Sequence, residues 1–433
     1  MTDIIAPPRV VGTMGASLLN LNGMIGAGIF ALPALLYVGL DSFAPIAILL
    51  FAIPTACLAV SVCKLSTLFD GSGGVQLYVE TALGKFTGFQ VGWFVICASG
   101  TGRAANFLVL VSYLAALFPV FDGPIARPLT VLAFIAFMTI LCVLGTKRSM
   151  GGIWVGTLFK LAPLVLLCAV GLGTNGFPVN IALPSFSGLE SVALLIAYAF
   201  SGFATSTVAA GETKNPRTAI YRSVIMALIG VAIFYAIVQW AYIAIGPETT
   251  DAEVPLAAAA QKLFGDWGAV MISVAAVFSI ATNQLCGFIT FPRVLSGMGE
   301  RKLLPKFFAH VSPRFLTPDY AIISYGVFVA AIAISGSFAT LAILLVAVEQ
   351  AIFALSLISF GVLWKSNFRG LRDTTGPRWL IILPVAVAMV AWMSLQVPAT
   401  AILSTTGMIT VGAVLYWLAR SRVSRQLPDV VET

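Results

Sequence analysis

Charge is what this sequence has least of. Asp, Glu, Lys and Arg make up 9% of its 433 residues, against roughly 25% in a soluble globular chain. A chain so poor in charge cannot clothe itself in a solvated surface, which excludes a large soluble enzyme. Histidine is nearly absent, and the one residue, His310, sits in a basic loop. The six cysteines form no Cys-x-x-Cys pair. Metal ligation and a disulfide framework therefore have no support, and each cysteine reads as a small buried hydrophobe. An integral-membrane enzyme would need titratable residues clustered at one depth, and none are seen. No cofactor is implied and no enzyme is expected. The first apolar run is too long for the core of a secretory signal peptide.

What the chain has in abundance is apolar sequence, 59% of residues, laid out in long runs. A run of about 18 or more apolar residues is a membrane-spanning candidate. Residues 10–40, 42–63, 128–146, 191–211, 223–247 and 267–292 carry no charge, and 86–121 holds only Arg103. Residues 149–189 hold only Lys160, and their second half, from Gly171, reads as a loop rich in Gly, Pro and Asn. The run 320–364 is too long for one helix; it breaks at Ser335-Gly336-Ser337 and contains one charge, Glu349. The run 379–419 splits near Gln396-Val397-Pro398. The expectation is an all-α integral membrane protein of twelve transmembrane helices.

An even number of spans puts both termini on one side. That side collects 20 of the 24 Lys+Arg, while only Arg127 and Lys262 lie opposite. The positive-inside rule makes the crowded side cytoplasmic. The net charge of +7 then reflects topology and a lipid bilayer as partner, with no nucleic acid.

Within the first run stands "NGMIGAGIFALP", residues 22–33. Gly23, Gly26 and Gly28 suit a helix interior poorly, since each costs roughly 1 kcal/mol relative to Ala. They read either as a break in the helix or as small residues that let helices pack closely. A broken helix at membrane depth frees backbone groups, tolerated only where they are buried in protein or line a wet cavity. Residues 191–211 are interrupted in the same way at Ser201-Gly202, and Ser206 and Thr207 can satisfy freed carbonyls. If five helices make one repeat and the next five another, the interrupted helices 1 and 6 open the two repeats, in opposite orientation. Interrupted spans at matching positions point to a transporter's midplane site. A half-helix starting near Ala27 offers N–H groups suited to a carboxylate. Half-helices ending near Met24 and Phe200 offer carbonyls suited to an ammonium. A zwitterionic amino acid satisfies both.

At these residues the chain resembles a known family. "GMIGAGIFALP" is similar to the first-helix signature of the amino acid–polyamine–organocation superfamily. Residues 72–93, 197–220 and 291–305 resemble, in order, its loop after helix 2, its helix 6 with the following loop, and the end of its helix 8. The resemblance implies a five-plus-five inverted repeat of LeuT type with helices 1 and 6 broken. In this chain that is one domain: a first repeat at 10–172, a second at 189–364, and helices 11 and 12 at 376–420. Resemblance to the arginine/agmatine antiporter branch implies that the amides of Gly26, Ala27 and Gly28 hold a carboxylate. It implies that the carbonyls of Met24, Tyr198 and Ser201 hold an amine, with Ile25, Phe200 and Gly202 beside them. Tyr198 stands where that branch has Trp, and Ala204 where it has Glu, which argues against arginine-type substrates.

Two charged positions remain. Lys160 lies about eleven residues into its helix, or roughly 16 Å deep. A basic group at the bilayer centre costs at least about 2.5–3.5 kcal/mol and is a functional candidate by default; the alternative is snorkelling to an interface. The resemblance implies that its ammonium replaces the sodium ion held between helices 1 and 8 in sodium-coupled relatives. Its expected partners are carbonyls near Gly23 and the hydroxyls of Ser279 or Thr282. Arg103 and Glu349 lie at matching depths, and an isolated buried charge is more costly than a pair. They are expected to meet as an outer gate; the rival is Arg103 contacting an acidic substrate. The leading expectation is a secondary amino acid transporter of the cell membrane, coupled to protons through Lys160 or working by sodium-independent exchange. The alternatives are a permease for polyamine- or ethanolamine-like organocations, or a carrier of acidic amino acids.

Overall fold

The computed structural model describes residues 12–69, 74–145, 150–178, 182–203, 216–246 and 253–424. Among them all regular structure is helical, as a chain in hydrocarbon requires, because only intra-helix hydrogen bonds satisfy the backbone there. The first run forms two helices, α1 (Thr13–Met24) and α2 (Gly28–Leu40). Then come α3 (Ala44–Ser66), α4 (Gly74–Leu83), α5 (Lys85–Leu117) and α6 (Ala126–Val143). These are followed by α7 (Met150–Asn175), α8 (Phe186–Phe200) and α9 (Pro216–Ile245). The chain continues through α10 (Pro255–Phe264), α11 (Asp266–Glu300), α12 (Asp319–Ala333) and α13 (Phe338–Lys365). It ends with α14 (Trp379–Leu395) and α15 (Ala399–Ser424).

Seven segments of the described residues are long and apolar enough to cross a membrane, and four shorter apolar helices accompany them. The protein is therefore a multi-pass membrane protein. Two expectations need correction. Helix α7 runs to Asn175, so the loop after Lys160 begins later than Gly171; Leu164, Leu167 and Cys168 bury one face of the helix. The cysteines are not uniformly buried, since Cys286 is exposed. Two helices were not anticipated. One is α4. The other is α10, whose Leu256, Ala257, Ala259 and Ala260 are buried where it packs on α11 and α2.

Helix α5 is the most enclosed long helix, flanked by α11 and α13. The peripheral α6 and α15 bury least of their length. Helix α1 packs on α9, α2 on α8, and α7 on α9 and α11. The two chain interruptions thus sit inside a ring formed by α5, α7, α9, α11 and α13.

Candidate substrate and coupling site

The first interruption is short and fully enclosed. Helix α1 ends at Met24, and Ile25 leaves the helix with φ −80° and ψ 83°. The Gly26 N–H turns back to the Met24 carbonyl at 3.0 Å, and Ala27 O starts α2 by accepting from Phe30 and Ala31 at 3.0 and 3.1 Å. Met24, Ile25 and Ala27 are buried. No acceptor faces the Ala27 and Gly28 amides among the described residues, so a positive helix end points into the protein interior. Of the three amides expected to hold a carboxylate, two are open in this state and that of Gly26 is engaged. The Met24 carbonyl is engaged as well, since it also receives the Tyr235 hydroxyl at 3.4 Å.

The second interruption follows Phe200. Ser201 has extended geometry (φ −58°, ψ 142°) and returns its N–H to the Tyr198 carbonyl at 3.0 Å. Gly202 then takes φ +92°, and a Cβ there would stand 2.8 Å from the Gly23 carbonyl oxygen. Only glycine combines that dihedral with that approach. The two interruptions are therefore in direct contact, Gly202 against Gly23. Ala204 lies outside the described residues, as do Ser206 and Thr207.

Lys160 reaches the first interruption from α7. Its Nζ donates to the Ile25 carbonyl and to Asn22 Oδ1, the latter at 3.3 Å, and the residue is 3% exposed. A side chain so placed does not snorkel. The expected helix-1 carbonyl partner is thus Ile25, two residues beyond Gly23. The expected hydroxyls differ. Thr282 is exposed and gives its hydroxyl to Phe278 O at 2.8 Å, because its position around the axis of α11 faces it outward. Ser279 is buried, but its Oγ has no partner among the described residues.

Arg103 and Glu349 do not pair. Arg103 donates to Asn283 O at 2.8 Å, to Asn283 Oδ1, and to Gln284 Oε1 at 3.1 Å. It lies against Gly287, where a Cβ would come 2.5 Å from Arg103 Nε. Glu349 instead accepts from Ser201 Oγ at 2.7 Å. Equal depth brought neither to the other, because α5 turns Arg103 toward α11 while α13 turns Glu349 toward the second interruption.

Residues the sequence reading passed over tie the site together. Asn283 donates to the Asn22 carbonyl at 2.7 Å and accepts from Asn106 at 3.4 Å. Asn106 in turn receives the Tyr198 hydroxyl at 2.7 Å. The Tyr198 ring meets Phe338 edge-on, with centroids 5.4 Å apart. A signal was present: Asn22, Asn106, Asn283 and Gln284 are amides inside apolar runs, and side chains of that type hydrogen-bond across helices.

A many-helix membrane protein in which a broken helix meets the end of α8, with open amides and a buried lysine on the break, is built as a transporter and not as an enzyme. The chain belongs to the amino acid permease family, whose model matches residues 11–419. It is similar to the serine/threonine exchanger SteT of Bacillus subtilis (strain 168), with 30% identity over 325 residues, 72% of this chain and 74% of that one. It is also similar to the branched-chain amino acid permease BcaP of the same organism, 25% identical over 339 residues, 73% of each. The vacuolar cationic amino acid transporter 4 of Arabidopsis thaliana is 26% identical over 345 residues, 73% of this chain and 56% of that protein.

Proposed function

We propose that this protein carries neutral amino acids across the cytoplasmic membrane by alternating access, with twelve spans arranged as a five-plus-five inverted repeat and both termini cytoplasmic. The substrate lies between the two interruptions, its carboxylate on the Ala27 and Gly28 amides and its amine near the carbonyl ends of α1 and α8. Lys160 is the coupling group. It holds the first interruption through the Ile25 carbonyl, so gain or loss of its proton changes the hold on the substrate site. This mechanism serves proton symport and sodium-independent exchange equally. The observation that carries the reading is the contact between the two interruptions beside open amides. The similarity to a serine/threonine exchanger and a branched-chain permease supports a neutral side chain, and Ala204 supplies no acid for a cationic one.

A second reading is favoured by one observation: Arg103 has oxygen acceptors but no carboxylate partner among the described residues. An acidic substrate would supply one. Uptake of a labelled amino acid panel into proteoliposomes, with and without a pH gradient, separates these. Serine, threonine and branched-chain substrates stimulated by an inward proton gradient or by internal amino acid are the expected result. Uptake restricted to glutamate and aspartate would transfer the conclusion to the second reading. In the same assay Gly28→Leu is expected to abolish uptake with normal membrane insertion, because even a Cβ at Gly28 meets Tyr198 and the Tyr235 hydroxyl at 3.3 Å.

A further inference from the structure

Glu349 is a half-buried carboxylate whose only protein partner among the described residues is the Ser201 hydroxyl. An anion in a low-dielectric interior is costly unless a positive charge accompanies it. Arg103, the nearest candidate by depth, gives its guanidinium to α11 instead. The residue after Glu349 adds a second unmet demand. Gln350 is 5% exposed, and its buried Oε1 has no partner among the described residues.

Both residues line one small void behind the second interruption, together with Ser201 and Thr55 of α3. The hydroxyl protons there are already committed elsewhere. Thr55 donates to Phe51 O at 2.7 Å and Ser201 donates to Glu349. What these four polar residues can offer the void is therefore lone pairs, from a carboxylate, an amide oxygen and two hydroxyl oxygens, while Phe200, Phe353 and Met389 are among its apolar lining. The void measures about 20 Å³, and one water-sized particle needs about 10–15 Å³. It is too small for an organic cation. Four acceptors, one negative charge and room for a single particle fit a small hard cation, which takes oxygen ligands. One carboxylate balances one positive charge.

We propose that Glu349, Gln350, Ser201 and Thr55 form a site for one small monovalent metal cation of sodium size, behind the break that follows α8. Ser201 is both a ligand and the residue at which the helix ends, so occupancy of the site fixes the geometry of the break. A role in transport rests on the permease mechanism above; binding of the ion does not.

The test uses the purified full chain in detergent without amino acid. Melting temperature is followed as NaCl replaces choline chloride at constant ionic strength, and binding of radiolabelled Na⁺ is measured alongside. A ligand that binds only the folded protein raises stability in a saturable way. The expected result is a saturable rise with Na⁺ and specific Na⁺ binding, both lost in Glu349→Gln and weakened at least about tenfold in Thr55→Val, where tenfold corresponds to about 1.4 kcal/mol. Should Glu349→Gln fail to fold, wild type and Thr55→Val decide alone. No Na⁺-specific rise and no Na⁺ binding by wild type would overturn the site. Stabilisation by acid alone would overturn it too, assigning the carboxylate a proton instead. Both readouts are of binding, so a protein that binds Na⁺ yet moves no amino acid refutes the permease mechanism and leaves this site standing. Amino acid transport without Na⁺ binding does the reverse.

Discussion

The interruption after Met24 and the interruption after Phe200 both end a helix inside the membrane, yet they are held differently. The first is held by a cation: Lys160 on the Ile25 carbonyl and Asn22. The second is held by an anion: Glu349 on the Ser201 hydroxyl. The first leaves amides open, and the second is shaped by a left-handed glycine pressed on its counterpart. Both charges act at the carbonyl end of a helix, that of α1 and that of α8, so Lys160 complements the macrodipole and Glu349 opposes it. The lesson is that a broken helix specifies which backbone groups are freed, while its neighbours specify which stay free.

The largest effect is expected where the two breaks touch. Gly202→Ala adds a Cβ at 2.8 Å from Gly23 O and forces a non-glycine residue to φ +92°, a strain of about 1–3 kcal/mol before any clash. Uptake should fall at least tenfold, since about 1.4 kcal/mol is tenfold. Gly230→Ala, with nothing within 4 Å, is the control. Equal uptake by the two variants would show that the breaks act independently.

Next comes the cation at the first break. Lys160→Ala should flatten the dependence of transport on pH across a proteoliposome pH series, or trap the carrier in one state. Lys160→Met keeps most of the bulk and should behave like the alanine variant in pH response. A wild-type pH profile in either variant would remove Lys160 from coupling and make the two breaks alike.

The two membrane-buried charges that do not meet give a smaller, sharper test. Arg103→Ala and Glu349→Ala should each be costly, because each leaves hydrogen-bond partners unmet. With separate partners, their effects on melting temperature should add to within about 0.5 kcal/mol. Strong coupling in the double mutant would restore the gate pair. Gly287→Ala should mimic Arg103→Ala alone, since its Cβ would displace the Arg103 side chain.

Smaller again is Tyr198→Phe. It takes the donor from Asn106 Oδ1, and a buried acceptor left unmet costs about 1–3 kcal/mol. Reduced affinity without loss of folding, measured by substrate-dependent thermal shift, is the expected outcome.

The smallest effect belongs to a site outside both breaks. Arg127 pairs with Glu253 and, at 3.4 Å, with Asp122. The hydrogen bond from Arg127 holds the Glu253 carboxyl below its ordinary range. Its folded value is depressed, so its stabilisation is present above the unfolded value and lost as pH falls through the folded one. The pair is substantially exposed, which limits it to about 0–1 kcal/mol. Glu253→Gln should barely move the neutral-pH melting temperature and should blunt its acid-side decline.

Much of the site was legible before any fold was known. Gly26, Gly28, Ser201 and Gly202 stood out because glycine and serine inside apolar runs free backbone groups that hydrocarbon cannot satisfy. Lys160 stood out because a lone ammonium at its depth needs a reason. The pairing of Arg103 with Glu349 was misread because residue counting yields depth along a helix and says nothing of rotation about its axis. Thr282 was misread for the same reason, since it faces outward from α11. The amides Asn22, Asn106 and Asn283 were overlooked because neutral polar residues carry no obvious cost until their partners are known.

The sequence by itself determined the membrane, its long apolar helices, the family and the places where two helices stop, since each follows from local composition and from the insolubility of bare backbone in lipid. Only the tertiary structure decided that the two stops touch at Gly23 and Gly202, that Lys160 settles on Ile25, and that Glu349 answers to Ser201 and not to Arg103. Those contacts join residues more than a hundred positions apart, and the rotation and crossing of packed helices, which set them, are properties of the whole bundle.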